Sequence, residues 1–529
     1  MIKLTINNTE VSVPKGISVH GAAQLKGIRI PTLCYREGKP HMPSCMVCMV
    51  KDSKTGKLFA SCAVKAEEGV NIITNDEEVL EARKMALELL LSDHVGDCEA
   101  PCQVTCPAHM DIPLMNRYLA EGDFQSALKV VKKDIALPAV FGRICPAPCE
   151  GACRRKSVDS AVSICLLKRS AGDDDLESDP WLPEKAPSSG KKVAIIGAGP
   201  AGLAAAYYLT LKGHQCDVYD RGEFPGGTLW SEVISGKLPE DVLKKEIGII
   251  EQLGAWFYPN TFVDETKFNE LKKKFDAVLV TTGSQEEKEG EDFLPNFGLA
   301  TTSAGLDAHK TSYTTSEKGV FAAGSAVRKS KLAIRCLGQG KEAAWSIDQY
   351  LSGKDASGEP FLFNSRFGKL LPEEITEYLK ESYIGPRQEP STAGSGFSKE
   401  QVMEEAGRCL HCDCRAASDC ELRLLSHEYN ANQKHYWSED RHPVLKNGFG
   451  ESNESIQGKF VIYEPTKCIK CGKCVYIAEE HKEKFGLSFI GRGFDMVIGV
   501  PFTEALNNGL EQVAEQVVAE CPTGALALK

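Results

Sequence analysis

No stretch of this 529-residue sequence approaches the roughly 20 consecutive apolar residues that a membrane-crossing helix needs. The opening residues, MIKLTINNTEVSV, alternate polar and apolar side chains. They lack the continuous apolar core of an export signal, so a cytoplasmic location is expected. There is no long basic run, and the formal net charge of −11 argues against a nucleic-acid-binding surface. Long internal repeats and low-complexity tails are also missing. Hydrophobic residues make up 42% and charged residues 26%, an ordinary globular composition. The length suits about three to four domains.

What the chain has in unusual number is cysteine, with 21 residues gathered in groups. In a chain without an export signal the thiols stay reduced, so clustered cysteines read as metal ligands before disulfides. The first group is Cys34, Cys45, Cys48 and Cys62, spaced C-x10-C-x2-C-x13-C. The second comprises Cys98, Cys102 and Cys106, then Cys145, Cys149 and Cys153, each triplet spaced C-x3-C-x3-C, with Cys165 following. The third, Cys409, Cys412, Cys414 and Cys420, lies within RCLHCDCRAASDC. In the fourth, Cys468, Cys471 and Cys474 run as C-x2-C-x2-C, and Cys521 precedes a proline. Four thiolates can hold an iron–sulfur cluster or a structural zinc. Cys216 and Cys336 stand outside the groups and read as small core residues. His411 lies inside the third group, where four cysteines already suffice.

The fourth group is the most specific. A two-cluster bacterial ferredoxin places a further cysteine four residues after its third, for the second cluster. That position is Ala478, and the mirror-image triplet before Cys521 is replaced by Glu511, Ala514 and Val517. One cluster has been deleted from the template while the ligands of the other, a [4Fe–4S] cluster, remain.

A dinucleotide signature follows. The apolar run Val193–Ile196 precedes Gly197-Ala-Gly199-Pro200-Ala201-Gly202 and the helical LAAAYYLTLKG, and the next strand, QCDVYD, ends in Asp220. Glycines in this setting permit a tight turn and close approach of a pyrophosphate to a helix N-terminus, and the acid accepts from a ribose hydroxyl.

These motifs carry resemblances. IPTLCY, SCMVCMV and ASCAV resemble the N-terminal ferredoxin domain of complex I large-subunit and iron-only hydrogenase proteins, which implies a [2Fe–2S] cluster on the first group. GRICPAPCEGACRR resembles the N-terminal domain of the glutamate synthase small subunit and of dihydropyrimidine dehydrogenase, over roughly residues 95–350. That resemblance implies two [4Fe–4S] clusters drawing ligands from both triplets, with Cys165 and His94 completing the set of eight. His94, in LSDHVGDC, matches a histidine ligand of the complex I relatives; the alternative is that it caps a helix C-terminus. Cys165 stands near where that family has a non-cysteine ligand. The same resemblance places FAD against Gly226, Gly227, Leu229, Leu238, Thr282, Gly283, Gly324 and Ser325.

Two departures from that family matter. Its second dinucleotide fold, for nicotinamide, lies between the segments of Gly283 and Gly324, where this chain has only residues 284–323. A nucleotide-binding βαβ unit needs about 30 residues merely to start, and no second strand–glycine–helix signature occurs. The glycine pairs Gly448/Gly450 and Gly491/Gly493 read as turns. The family's final Gly-Asp is Gly324-Ser325, so a carboxylate that binds the flavin's ribityl chain is replaced by a hydroxyl.

The expected architecture is multidomain α/β and α+β. It comprises a β-grasp [2Fe–2S] ferredoxin over 1–90, a helical domain with two [4Fe–4S] clusters over 91–175, a linker over 171–190 and a Rossmann-like FAD domain over 191–352. A connector with one [4Fe–4S] motif follows over 353–454, and a ferredoxin-like [4Fe–4S] domain over 455–529. Strands are expected at Ile2–Ile6 and Val11–Val13 with a turn at Asn7 and Asn8, and helices near Pro113–Ala120 and Phe124–Lys133. One [2Fe–2S], four [4Fe–4S] clusters and FAD suit an electron-transfer subunit rather than the substrate-converting one. The expected partners are a molybdenum or tungsten oxidoreductase, a hydrogenase or a bifurcating dehydrogenase, with ferredoxin as a further carrier. The competing readings are a scaffold with a vestigial flavin site and a self-contained NAD(P)H oxidoreductase.

Overall fold

A computed structural model describes residues 1–284, 297–380, 382–392, 394–437, 461–493 and 496–528. The pair Gly448/Gly450 lies outside the described residues. The chain forms two compact bodies. The first gathers Met1–Glu99, Leu362–Lys380 and Cys412–Lys529; the second gathers Ala100–Phe361 and Glu381–His411.

The first body begins with a mixed sheet of β1 (Ile2–Ile6), β2 (Thr9–Val13), β3 (Met49–Asp52), β4 (Leu58–Ala60) and β5 (Asn71–Ile73), ordered β2-β1-β5-β3-β4. Asn7 and Asn8 sit at φ 48° and 66° between β1 and β2. Two left-handed residues match the twist of a tight hairpin, and asparagine tolerates that region. Alternate residues Leu4, Ile6, Val11 and Val13 point inward with Val19, Val50 and Ile72. The helix Glu77–Ser92 follows, capped by Asp76, whose carboxylate accepts from Val79 N at 2.9 Å.

The C-terminal part of this body pairs strands Val461–Tyr463 and Leu526–Leu528. Helices Lys473–Glu480 and Ala514–Glu520 pack on each other beside a hairpin of Ser488–Ile490 and Val497–Gly499. Ala478, Ala514 and Val517, which stand where a second cluster's cysteines would be, are buried in one apolar core with Ile477, Val500 and Leu510. Three of the four positions at which a two-cluster ferredoxin has cysteines are thus apolar core, and the fourth, Glu511, is exposed.

The second body opens with six short helices, among them Ile112–Ala120 and Phe124–Asp134, within a residue of the expected segments. The helix Ile164–Leu176 crosses Pro138–Ile144 at backbone contact. A Cβ on Gly172 would lie 2.5 Å from Ala139 N, and one on Gly142 would lie 2.5 Å from Arg169 Cα. This helix also corrects the expected linker, whose first residues are helical. Asp175 pairs with the buried Lys132 at 2.5 Å and Asp173 with Arg143 at 2.6 Å, so the acidic run neutralises cations instead of being solvated throughout.

The remainder of the second body is a parallel sheet of β6 (Lys192–Ile196), β7 (Gln215–Tyr219), β8 (Trp256–Tyr258) and β9 (Ala277–Val280). After a small hairpin, β10 (Thr301–Thr302) and β11 (Gly305–Leu306), β12 (Val320–Ala322) joins beside β9. The order is β12-β9-β6-β7-β8. Among the described residues this is the one all-parallel sheet. Helices Pro200–Leu211 and Ala333–Leu351 pack closely, because a Cβ on Gly340 would lie only 2.1 Å from Ala201 O.

Candidate functional site

The first cysteine group converges. Cys34, Cys45, Cys48 and Cys62 are all buried. Cys48 directly precedes β3 and Cys62 follows β4, and the register Met49↔Ala60 brings those two loops together. Ser61 donates through N (3.1 Å) and Oγ (2.8 Å) to Cys48 O, which locks the pair. Hydrogen bonding from neighbouring thiols holds Cys34 and Cys48 below the usual thiol range, while the same contacts and burial push Cys45 and Cys62 up. Four buried thiols within hydrogen-bonding reach of one another suit a shared cluster. Beside Cys45 runs an apolar groove lined by Met46, Met49, Met85 and Leu89, a feature the cysteine spacing did not announce.

Cys468, Cys471, Cys474 and Cys521 line one small cavity with Tyr463, Ile498 and Pro522. Left-handed Lys470 (φ 55°) and Gly472 (φ 75°) turn the loop so that successive thiols face inward. Burial raises the thiols of Cys468 and Cys474, and that of Cys471 to about 12, so the apolar wall disfavours bare anions and favours charge shared with a metal.

In the second body, the buried ammonium of Lys168 is within electrostatic reach of Cys106, Cys145, Cys149 and Cys165. Its Nζ lies 3.9 Å from Cys165 Sγ. Burial alone would lower the Lys168 pKa, but the four thiols outweigh it and raise it. Cys165 N donates to Glu150 Oε1 at 3.0 Å, fixing the helix start that presents its thiol. Cys102 lies on the helix Pro101–Thr105, which packs against Pro148–Gly151, and Cys153 follows the latter. Cys409 follows the fully buried Arg408, whose carbonyl accepts from Arg155 Nη1 at 3.1 Å, two residues past Cys153. Arg408 is itself held by Glu405 (2.8 Å) and Asp159 (2.9 Å).

Cys98 belongs to the first body with Cys414 and Cys420, and Cys102 and Cys106 belong to the second. Cys414 N donates to Cys98 O at 3.1 Å. Cys412, half-buried, belongs to the same body. His94 Nδ1 is shielded from solvent without a hydrogen-bond partner, and burial pushes its imidazole down to about 4, so the ring is neutral. Cys216 is fully buried against Thr210, and Cys336 is buried beside Gly324 and Ser325. Among the described residues, no three His, Cys, Asp or Glu side chains converge closely enough to hold a single metal ion.

The dinucleotide motif forms a cradle. Gly197 has φ +105°, and a Cβ there would strike Thr281 O at 2.5 Å; a Cβ on Gly202 would strike Gly197 O at 1.9 Å. Gly199 faces open space, and Pro200 opens the helix behind it. Asp220, half-buried at the end of β7, accepts from Ala198 N (2.6 Å) and Gly222 N (2.7 Å) and retains lone pairs on both oxygens. Gly227 (φ +52°) touches Gly199 Cα closely enough that a Cβ would lie 2.8 Å away, and Gly226 N donates to Ala198 O at 2.9 Å. Leu229 and Leu238 are buried behind this loop. Thr282 Oγ1 is a buried hydroxyl without a partner, next to Gly283, whose Cβ direction is open. Ser325 Oγ lies 3.4 Å from Cys336 Sγ and 3.4 Å from Ser330 N. An open glycine turn at a helix N-terminus beside an orphaned hydroxyl fits a dinucleotide.

Four family models match. They are the 2Fe-2S iron-sulfur cluster binding domain over residues 1–77, dihydropyrimidine dehydrogenase domain II with a 4Fe-4S cluster over 75–179, the NAD(P)-binding Rossmann-like domain over 195–254, and the ferredoxin-like domain of NADH-quinone oxidoreductase subunit 3 over 458–527. Among curated proteins, the chain is 41% identical over 201 residues to NADPH-Fe(3+) oxidoreductase subunit beta of Geobacter sulfurreducens, covering 36% of this chain and 30% of that protein. It is 37% identical over 207 residues to NADP(+)-dependent formate dehydrogenase subunit beta of Moorella thermoacetica, covering 35% and 29%. To the glutamate synthase [NADPH] small chain of Bacillus subtilis it is 36% identical over 206 residues, covering 36% and 42%. The chain thus spans less than half the length of each of these relatives. Among the described residues no helix is long and apolar enough to cross a membrane. The chain matches, in order, models of a 2Fe-2S domain, a dihydropyrimidine dehydrogenase 4Fe-4S domain, a Rossmann-like domain and a ferredoxin-like domain, and over about a third of its length it is similar to the glutamate synthase small chain and to the two beta subunits.

Proposed function

We propose that the chain is an iron–sulfur flavoprotein subunit that relays electrons one at a time between a partner's catalytic centre and other carriers, in a reducing compartment such as the cytoplasm. The observation that carries this reading is the helix Ala333–Leu351, which touches two sites at once. A Cβ on Gly340 would meet Ala201 O of the dinucleotide cradle at 2.1 Å. One on Gly338 would meet Pro107 O, next to Cys106, at 2.3 Å. A flavin on the cradle and a cluster on Cys106, Cys145, Cys149 and Cys165 are therefore joined through one turn of one helix.

The residues present fit FAD in the cradle, one [2Fe–2S] cluster on a β-grasp first domain and four [4Fe–4S] clusters on the remaining groups. When bound, the flavin supplies exchange between two-electron and one-electron chemistry and the clusters supply one-electron steps. The protein's own part is positioning. Gly197–Gly202 bring backbone amides and a helix N-terminus to the pyrophosphate, Asp220 accepts from the ribose, and Thr282 and Ser325 offer hydroxyls to the rest of the cofactor. The relatives named as beta subunits and a small chain support a place in a multi-subunit redox enzyme. The partner would hold the substrate site, whether a molybdenum or tungsten oxidoreductase, a hydrogenase or a bifurcating dehydrogenase.

A second reading rests on the NAD(P)-binding match over 195–254, in which the same cradle holds a nicotinamide nucleotide instead. Anaerobic purification followed by iron, sulfide, zinc and nucleotide analysis separates the two. Iron with stoichiometric FAD supports the proposal. Zinc in place of iron, or extracted NAD(P) without flavin, contradicts it.

A further inference from the structure

We infer that Cys98, Cys414 and Cys420 supply thiolates to one and the same cluster, which lies against the site of Cys521, while Cys102 belongs to a different cluster. The inference rests on the iron–sulfur reading above and changes its ligand map. By spacing, Cys98 belongs with Cys102 and Cys106, and Cys414 and Cys420 with Cys409 and Cys412.

The geometry divides them otherwise. The backbone of Cys98 is tied to Cys414 by the 3.1 Å bond from Cys414 N to Cys98 O. Cys98 is fixed on its other side by Ser365: Cys98 N donates to Ser365 O at 3.2 Å, and Ser365 N donates to Cys98 Sγ at 3.4 Å. Cys420 caps the helix Glu421–Glu428 and accepts at Sγ from Arg423 N at 3.4 Å. Arg423 closes the ring by binding Glu99, the residue after Cys98, at 2.5 Å. All three cysteines are buried. Each amide aimed at sulfur favours the thiolate that a cluster needs.

The turn after Cys521 forms one wall. A Cβ on Gly524 would lie 2.0 Å from Cys414 Sγ, so only glycine leaves room for that thiol. Cys420 Sγ stands 3.8 Å from Pro522 O, and Leu422 N donates to the same carbonyl at 3.1 Å. Four successive residues, Cys521 to Gly524, thus run from one cluster's ligand to the other's, a short covalent and hydrogen-bonded route for electrons. Removing Cys98 from the run leaves Cys102, Cys153 and Cys409 in the second body as the core of a separate set.

The test is iron counting on full-length variants, isolated anaerobically with electron paramagnetic resonance of the reduced forms. Cys98→Ala and Cys414→Ala should each remove about four irons. The double variant should also remove about four, because both changes empty one site, whereas Cys102→Ala with Cys414→Ala should remove about eight. Gly524→Ala, which keeps every ligand, should perturb the same signal that Cys98→Ala removes. Retention of the [2Fe–2S] signal is the internal check that each variant is folded. A loss of about eight irons in Cys98→Ala/Cys414→Ala, or a Gly524→Ala spectrum unchanged at that signal, overturns the shared site. Failure of the iron–sulfur reading itself would look different: the unmodified chain would carry no cluster.

Discussion

Lys168 Nζ lies 3.9 Å from Cys165 Sγ, on the same face of one helix, and is buried within electrostatic reach of Cys106, Cys145 and Cys149. A fixed positive charge there stabilises an added electron on a cluster held by those thiols. Lys168→Met should therefore lower that cluster's midpoint potential by on the order of 100 mV, the size expected for one charge a few ångströms away at an effective dielectric of about 20. Redox titration followed by paramagnetic resonance reads this directly. An unchanged potential would mean that the ammonium faces away from the cluster.

Gly202 tests the nucleotide cradle. With a Cβ 1.9 Å from Gly197 O, the turn cannot keep its shape. Gly202→Ala should weaken flavin binding by about tenfold or more, ~1.4 kcal/mol, as read by flavin released on ultrafiltration. The C-terminal cluster, on the other body, should keep its spectrum.

Glu246 gives a pH signature. Its carboxylate accepts from Ala139 N (2.9 Å) and Val140 N (2.8 Å), and burial pushes its pKa up to about 7 from an ordinary 4.5. Between those values the folded chain holds a proton that the unfolded chain has released. Glu246's contribution is therefore present below pH 4.5 and lost as pH rises through about 7. Urea unfolding at several pH values across this window should show stability falling with pH in the natural chain and a flatter profile in Glu246→Gln.

Much of this was readable in the chain itself. The Asn7–Asn8 turn and the strand–glycine–helix unit at Val193–Leu211 depend on local spacing, and left-handed Lys470 and Gly472 turn the loop that carries Cys468, Cys471 and Cys474. Lys168 was equally accessible, since a residue three positions after Cys165 shares its helical face. The placement of Cys98 was not. It is decided by Ser365 and Cys414, brought from distant segments by tertiary packing, and no periodicity encodes that. The acidic residues after Ala171 misled for a related reason: Lys132 and Arg143, their partners, come from other helices.

Cys471→Ala tests modularity. Cys468, Cys471, Cys474 and Cys521 line a cavity of their own. Against about eighteen irons for one [2Fe–2S] and four [4Fe–4S] clusters, the variant should lose about four and one resonance signal while keeping its flavin. Loss of every signal together would show that the cluster sites fold as one unit.

The proposed function has the chain pass electrons without holding a nicotinamide against the flavin, since only residues 284–323 separate the segments of Gly283 and Gly324. Hydride transfer needs the nicotinamide ring held against the flavin in a near-attack geometry, whereas a small reductant such as dithionite does not. Anaerobic stopped-flow mixing of the isolated chain with NADPH, NADH or dithionite, followed at the flavin and cluster absorbances, is the most direct measurement. The account predicts that dithionite bleaches both and that neither nicotinamide does so at a catalytically useful rate; rapid bleaching of the flavin by NADPH would contradict it.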